Sequence, residues 1–135
     1  MQITRQADYA LRAVIYLARM EENQKASTAV IAEEQKIPSS FLAKIISQLS
    51  IAGLIDTARG ARGGVCLARP GDEISVLDVI QAIDGPVFLN ACTQDTNECP
   101  FLNTCPLKDL WCDARKELVE RLSAATFTRK NVISR

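Results

Sequence analysis

The sequence predicts a mainly α-helical fold with a helix-turn-helix, a small β-hairpin and a long C-terminal helix. Three observations indicate this fold. Apolar residues recur at steps of three and four over residues 3–20 and again after Pro106, which is the spacing of one helix face. Two short helical segments meet at a turn around Pro38, and a glycine-rich turn over residues 59–64 separates two short apolar runs. With 135 residues, 47% of them hydrophobic, the chain can form one compact unit with a substantial core.

The second helix is short and has clear boundary signals. Ser27 or Thr28 can cap its first turn through a side-chain hydroxyl. Val30 and Ile31 are expected to face inward. The helix cannot continue through Pro38, because the residue before a proline is pushed out of the α region.

A third helix follows Pro38 and is expected to be the recognition helix of a helix-turn-helix. Ser39 or Ser40 is expected to cap it, and Gly53 stands where a left-handed residue ends helices. On the first turns of a recognition helix, Ser39, Ser40 and Lys44 can reach base edges or phosphates of double-stranded DNA. The apolar set expected to hold this helix on the core is Phe41, Leu42, Ile45, Ile46 and Leu49.

The hairpin follows directly, with strands expected over residues 54–58 and 65–67. In that position a hairpin is a wing, so the prediction becomes a winged helix-turn-helix. Arg59 and Arg62 in its glycine-rich turn suit insertion into a narrow, electronegative minor groove. The alternative is a generic helical domain with a solvated surface hairpin.

The C-terminal half begins with a short helix capped by Ser75 and ended by Gly85. A polar loop over residues 92–105 precedes a long helix expected at about 106–127, and the segment from Thr126 onward is expected to fray. A lone helix cannot bury the apolar stripe of residues 106–127, so it needs the domain core or a second copy. We therefore expect a coiled-coil-like homodimer seam. Its stripe comprises Leu107, Leu110, Trp111, Ala114, Leu118, Leu122 and Ala125.

The net charge of zero conceals two opposed halves. Residues 1–69 hold nine Lys or Arg against six acids, a net of +3, whereas residues 70–135 hold seven against ten, a net of −3. The first part is thus predicted to bind DNA phosphates. The second part, residues 70–135, contains the cysteine loop and the dimerisation helix and is predicted to regulate DNA binding. The two parts are expected to form one compact unit. The absence of histidine excludes Ser-His and Cys-His catalysis and His-ligated zinc, so no enzyme is predicted.

The start of the chain is charged from Arg5 onward and carries no secretory signal pattern. The apolar-rich run Ile45–Ile55 is too short to span a bilayer. These features predict a cytoplasmic protein without a membrane segment. In that reducing compartment, five cysteines favour metal binding or redox sensing over a disulfide framework.

Three cysteines, Cys92, Cys99 and Cys105, lie in one proline-flanked loop with C-x₆-C-x₅-C spacing. Three thiolates in such a loop can converge on a soft metal centre. The spacing is wider than that of a zinc knuckle, which leaves an iron–sulfur site, zinc and a thiol switch as alternatives. Cys112 is an in-chain candidate for a fourth ligand, and Cys66 in the wing is expected to be a buried core residue.

Several segments together resemble the Rrf-type winged-helix regulators, the IscR, NsrR and RirA group, over nearly the whole chain. They are MQITRQADYALRA at residues 1–13, IPSSFL from Ile37, AGLI from Ala52, RGARGG from Arg59, and the three spaced cysteines before LKDLW. The resemblance implies a homodimeric bacterial transcription regulator that binds palindromic operators. It also implies an iron–sulfur cluster that responds to iron supply, oxygen or nitric oxide.

By the same resemblance, Cys92, Cys99 and Cys105 match the three cluster ligands. In the branch with a 2Fe–2S cluster, a histidine follows the third cysteine by three residues, and here that position is Lys108. In a nitric-oxide-sensing branch with a 4Fe–4S cluster, an aspartate on the first helix of the partner subunit completes the site, and Asp8 stands at that position. The resemblance thus favours 4Fe–4S over 2Fe–2S. The alternative for Asp8 is a solvated acid on the helix surface.

The resulting hypothesis is a non-enzymatic DNA-binding transcription regulator, and a repressor is favoured over an activator. Its affinity for the operator is controlled by an iron–sulfur cluster that senses redox state, nitric oxide or iron. One alternative is a cluster-free winged-helix repressor that acts through a partner protein or thiol chemistry, such as a disulfide between Cys92 and Cys99. The other is an iron–sulfur electron carrier, which would have no use for a helix-turn-helix and a basic wing.

Overall fold

The computed structural model describes residues 2–22, 24–60, 63–90, 93, 99–101 and 103–134. Its elements confirm the predicted mainly α fold with a small antiparallel hairpin and a C-terminal helix. In chain order they are α1 (Arg5–Ala18), α2 (Thr28–Gln35), α3 (Ser39–Ile51), β1 (Ile55–Ala58), β2 (Gly64–Leu67), a 3-10 turn (Gly71–Glu73), α4 (Val76–Asp84), α5 (Lys108–Ala124), β3 (Ala125–Phe127) and β4 (Val132–Ser134).

The helix boundaries follow local capping chemistry in most places. The Ser27 hydroxyl accepts a hydrogen bond from the Val30 amide at 3.2 Å and caps α2. Ser75 caps α4 and forms a reciprocal capping box with Asp78. Gly53 follows α3 at φ +77°, in the predicted left-handed conformation.

Two predictions about α2 and α3 are wrong. Pro38 occupies the N-cap of α3 without a side-chain hydrogen bond, and Ser39 and Ser40 lie inside the first turn. The fixed φ of proline, −56° here, starts the helix directly after the turn, so neither hydroxyl is needed as a cap. On α2, Ile31 is buried but Val30 is 43% exposed, because neighbouring residues of a helix point about 100° apart.

The main core lies between α1 and α3 and is closed by the hairpin and the C-terminal segment. The small residues on the inner face of α1 allow close approach to α3. The α1 face consists of Ala7, Ala10, Ala13, Val14 and Leu17, and the α3 face of Leu42, Ile45, Ile46 and Leu49.

The wing is confirmed as an antiparallel pair in which Ile55 lies opposite Leu67. It is fastened to the segment before α2, since Ala26 and Val65 exchange two backbone hydrogen bonds of 3.0 and 2.8 Å. Gly64 makes this approach possible: its φ is +146°, and a Cβ there would stand 2.6 Å from the Ala26 carbonyl oxygen.

The prediction of a fraying C-terminus is wrong, and α5 ends at Ala124. Strands β3 and β4 form a second antiparallel hairpin, whose turn is closed by the Thr128 amide and hydroxyl, each donating to the Asn131 carbonyl at 2.7 Å. Phe127 on β3 is only 1% exposed and completes the main core. Burial of this ring and the backbone bridge between Thr126 and Ser75 hold the hairpin against the core.

A smaller apolar cluster joins α4 to α5. Leu77, Ile80 and Val87 are buried there, and Leu118, Val119 and Leu122 of α5 pack against them. At the other end of α4, Asp84 accepts hydrogen bonds from the Thr4 hydroxyl and amide at 2.5 and 3.4 Å. The start of α1 and the end of α4 are therefore tied together.

Within the described part of the chain, no helix is long and apolar enough to cross a bilayer.

Candidate nucleic-acid interface and thiol loop

The outer face of α3 is a row of small and basic side chains. Ser40, Ala43, Lys44 and Ser47 are all exposed, and their spacing puts them on one side of the helix, opposite the buried apolar residues. Short hydroxyls beside a lysine leave room for a duplex to approach and supply donors for phosphates or base edges. Ser39, Ser40 and Lys44 thus lie at the surface as expected. Ser47 was not predicted from the sequence, although its position seven residues after Ser40 puts it on the same face of the helix.

The wing places a second basic residue at the surface. Arg59 directly follows β1 and is exposed, and Gly60 after it has φ +101°. Arg62, the other residue predicted for this turn, lies outside the described residues. Among the described side chains, neither Lys44 nor Arg59 forms an ion pair, so both charges are available to phosphates.

The start of α1 meets the first turn of α3 through aromatic side chains. The rings of Tyr9 and Phe41 lie 6.2 Å apart at an interplanar angle of 53°. Phe41 was predicted to be a core residue but is 43% exposed. Its ring packs on α1 at the protein surface, since the main core is filled by Leu42 and Ile45.

Asp8 lies next to this aromatic contact. Its carboxylate accepts a charge-assisted hydrogen bond from Arg12, one helical turn later, at 2.9 Å, with the two side chains 50% and 47% exposed. The Arg12 guanidinium also lies over the Tyr9 ring at 5.8 Å from its centroid. Asp8 is therefore accessible from solvent but already paired within its own helix.

The cysteine loop is described in part. Cys92 lies outside the described residues, whereas Cys99 and Cys105 are half-buried free thiols. The Cys105 amide donates to the Phe101 carbonyl at 2.9 Å, and its own carbonyl accepts from the Lys108 amide at 3.3 Å. Cys105 is thus fixed in the turn that begins α5.

The described residues of one protomer do not bring three or more Cys, Asp, Glu or His side chains together as a metal site. Asp8 accordingly is not assembled with Cys99 and Cys105 inside the chain. Cys112 is a half-buried free thiol on α5. Cys66, expected to be buried, is also only half-buried, because Val65 is the residue of β2 that enters the core.

The loop is anchored where it leaves α4. The Arg115 Nε of α5 donates to the Val87 carbonyl at 2.7 Å, and the same guanidinium lies over the Phe88 ring at 5.0 Å. The Thr93 hydroxyl accepts from the Leu89 amide at 3.1 Å. The segment that directly follows α4 is consequently attached to α5 at Val87 and Phe88.

The apolar stripe of α5 divides into two parts. Leu118 and Leu122 pack on α4 within the chain, whereas Leu107 and Leu110, at the start of the helix, are exposed. No described residue of α5 is fully buried. The N-terminal part of the stripe therefore presents an apolar surface that the described residues leave largely uncovered.

A winged helix-turn-helix with a thiol-bearing loop before a long helix agrees with the comparison to known proteins. Residues 3–129 match the model of the Rrf2 family, described as an iron-dependent transcriptional regulator. The chain belongs to the Rrf2 family. It is thus a DNA-binding transcription regulator, of a family that typically acts as dimers and whose members are not enzymes.

Solved structures of other Rrf2 proteins share the fold. The structure of CymR (YrzC), described as the global cysteine regulator of B. subtilis, is 28% identical with a TM-score of 0.77, over 93% of this chain and 92% of that one. The oxidized form of S. aureus CymR is 32% identical with a TM-score of 0.72, over 93% and 92%. T. potens IscR is 27% identical with a TM-score of 0.73, over 93% and 82%.

Proposed function

We propose that this Rrf2 protein is a homodimeric repressor that binds a palindromic operator. Its affinity for the operator is set by an iron–sulfur cluster bound to Cys92, Cys99 and Cys105, and a 4Fe–4S cluster is favoured over 2Fe–2S. The observation that carries the proposal is the position of Cys105. It is a free thiol held by two backbone hydrogen bonds in the turn that opens α5. A change in what the thiol binds is therefore passed directly to the helix expected to join two copies.

The donor chemistry of the loop fits such a cluster. Cys99 and Cys105 are half-buried, which protects thiolates while leaving one side open. Lys108, close to Cys105, is a cation and offers no lone pair for ligation. Asp8 on a second copy is a suitable oxygen donor because its carboxylate is half-exposed. When bound, the cluster supplies a centre that reacts with oxygen or nitric oxide, or is lost when iron is scarce.

The DNA-binding side uses α3 and the wing of each copy. Ser39, Ser40 and Lys44 lie on the exposed first turns of α3, and Arg59 extends the basic surface on the wing. We assign Arg62 to the same wing contact on the basis of its place in the sequence. A palindromic operator requires two such surfaces at a fixed separation of about one helical turn, so a small shift between the copies weakens both half-site contacts.

A second candidate function is a cluster-free repressor that senses oxidation through its thiols. Cys99 and Cys105 are free, half-buried thiols, as this chemistry requires. The relative described as the oxidized form of CymR supports this candidate. In this protein a disulfide such as Cys92–Cys99 would take the place of the cluster and change the conformation of the cysteine loop.

Anaerobic purification separates the two candidates. The proposed function predicts charge-transfer absorbance in the visible and about four irons and four sulfides per subunit. Cys105→Ser is expected to abolish the absorbance, whereas Cys66→Ser, a matched change in the wing, is expected to retain it. A wild-type protein that stays colourless after anaerobic reconstitution, but whose DNA affinity changes on air oxidation, would refute the cluster and favour the thiol candidate.

A further inference from the structure

Arg12 lies between the candidate ligand Asp8 and the recognition helix. Its guanidinium is 2.9 Å from the Asp8 carboxylate and 5.8 Å from the centroid of Tyr9. The Tyr9 ring in turn lies 6.2 Å from Phe41, on the first turn of α3. Three successive contacts therefore connect Asp8 to the end of α3 that is expected to approach DNA.

The charge of Arg12 is neutralised in this arrangement. The guanidinium is half-exposed and lies over Tyr9, whose ring contacts the first turn of α3, but its ionic partner is a carboxylate from the same helix. Asp8 occupies the Nη2 donor of Arg12, and a DNA phosphate would compete for that donor because a guanidinium binds carboxylate and phosphate oxygens alike.

Tyr9 contacts the guanidinium independently of Asp8. A planar guanidinium over an aromatic ring retains its edge donors for another partner. The Tyr9 ring in turn contacts Phe41, which gives Arg12 a second point of contact on the side of α3.

We propose that Arg12 is a DNA phosphate contact whose availability is set by Asp8. A free Asp8 carboxylate withholds Arg12, and engagement of Asp8 by another ligand releases it to the duplex. The inference rests on the proposed function for its DNA-binding surface, and it adds Arg12 to the residues that contact the operator. It also gives Asp8 a direct electrostatic effect on DNA binding, separate from any movement between the two copies.

The expected effect is modest. A half-exposed ion pair within a helix is weak, so releasing Arg12 is expected to raise duplex affinity about two- to fivefold. The clearer quantity is the salt dependence, since each added phosphate contact steepens the slope of log affinity against log salt by about 0.9.

The experiment uses the full-length, metal-free protein, so its outcome does not depend on whether a cluster assembles. Binding to a short random-sequence DNA duplex is measured over a series of salt concentrations for Asp8→Asn, Arg12→Gln and the double variant. Glu21→Gln, three residues beyond the C-terminal end of α1, is the control for loss of a carboxylate. Arg19→Gln, at the C-cap of α1, is the control for loss of a guanidinium.

Asp8→Asn is expected to bind more tightly with a steeper salt slope, and both gains are expected to vanish in the double variant. Arg12→Gln alone is expected to behave like Arg19→Gln, because Asp8 already occupies Arg12. Gains no larger than those of Glu21→Gln, or gains that survive the loss of Arg12, would overturn the inference. A wild-type protein without salt-dependent duplex binding would instead refute the DNA-binding surface of the proposed function, and the inference with it.

Discussion

Substituting Leu110 by Glu tests whether the uncovered start of α5 joins two copies. Leu110 is the third residue of α5, and 55% of it remains exposed in the single chain. A carboxylate in the first turn of a helix interacts favourably with the helix dipole. The substitution is therefore expected to leave the fold of the chain intact while placing a charge in the proposed seam.

The magnitude follows from the exposed fraction. Complete burial of a leucine contributes about 1.5–3 kcal/mol, so covering the remaining half of Leu110 contributes about 0.8–1.6 kcal/mol in each copy. A symmetric dimer counts this twice, which gives about 1.6–3.2 kcal/mol. At about 1.4 kcal/mol per factor of ten, the dissociation constant of the dimer should rise about 10- to 200-fold.

Sedimentation equilibrium over a range of protein concentrations measures this change without DNA. Val30→Glu is the matched control, because Val30 is the third residue of α2, is 43% exposed and follows the helix cap Ser27. Its dimer dissociation constant should equal that of the wild type. If Leu110→Glu also retained the wild-type value, α5 would not form the dimer seam through this residue.

Three further substitutions, one of them with a matched control variant, probe the interface and the fold. Arg59→Ala should weaken duplex binding and flatten its salt slope by about one unit in a titration, and an unchanged slope would remove the wing from the interface. Phe127→Ala should lower the free energy of unfolding in urea by about 3–5 kcal/mol, because the ring is 1% exposed. Phe101→Ala, at a residue 64% exposed, should stay within about 0.5 kcal/mol, and equal effects would contradict the packing of the C-terminal hairpin. Gly64→Ala should lower the free energy of unfolding in urea by about 1–3 kcal/mol or more, because Gly64 has a positive φ and the new Cβ would meet the Ala26 carbonyl. An unchanged free energy of unfolding would contradict that close approach.

The parts of the fold that could be predicted from the sequence are those with strong local chemistry. Ser27 and Ser75 cap their helices through their own hydroxyls, and Gly53 takes the left-handed conformation after α3. The wing is likewise specified by a short run of glycines between two apolar segments. In each case the interaction that determines the local structure lies within a few residues of the sequence pattern that predicts it.

The C-terminal hairpin could not be predicted in the same way, because its strands are only three residues long. Such strands have no periodicity to detect, and their position depends on Phe127 entering a core built mainly by α1 and α3. The stripe of α5 posed a related problem. Its spacing identifies a helix face, but only the tertiary structure shows that Leu118 and Leu122 pack on α4 while Leu110 stays uncovered.

The candidate site likewise has features that local sequence predicts and features that depend on tertiary packing. The exposure of Ser40 and Lys44 follows from helical spacing, and the pairing of Asp8 with Arg12 is readable from their separation of four residues. The contact between Tyr9 and Phe41 is not readable, since it depends on how α1 crosses α3. That contact places Tyr9, the residue after the candidate ligand Asp8, against the recognition helix.

Under the proposed function, a second route joins the thiol loop to the DNA-binding helices. Cys105 is fixed to the start of α5, and Arg115 of α5 holds the Val87 carbonyl just beyond α4. The end of α4 is in turn bonded to the start of α1 through Thr4 and Asp84. A shift of α5 therefore reaches α1 through fixed hydrogen bonds, close to the carboxylate that a second copy would need. Under that function the acidic half would regulate the basic half without itself approaching DNA, which agrees with opposed charges that sum to zero.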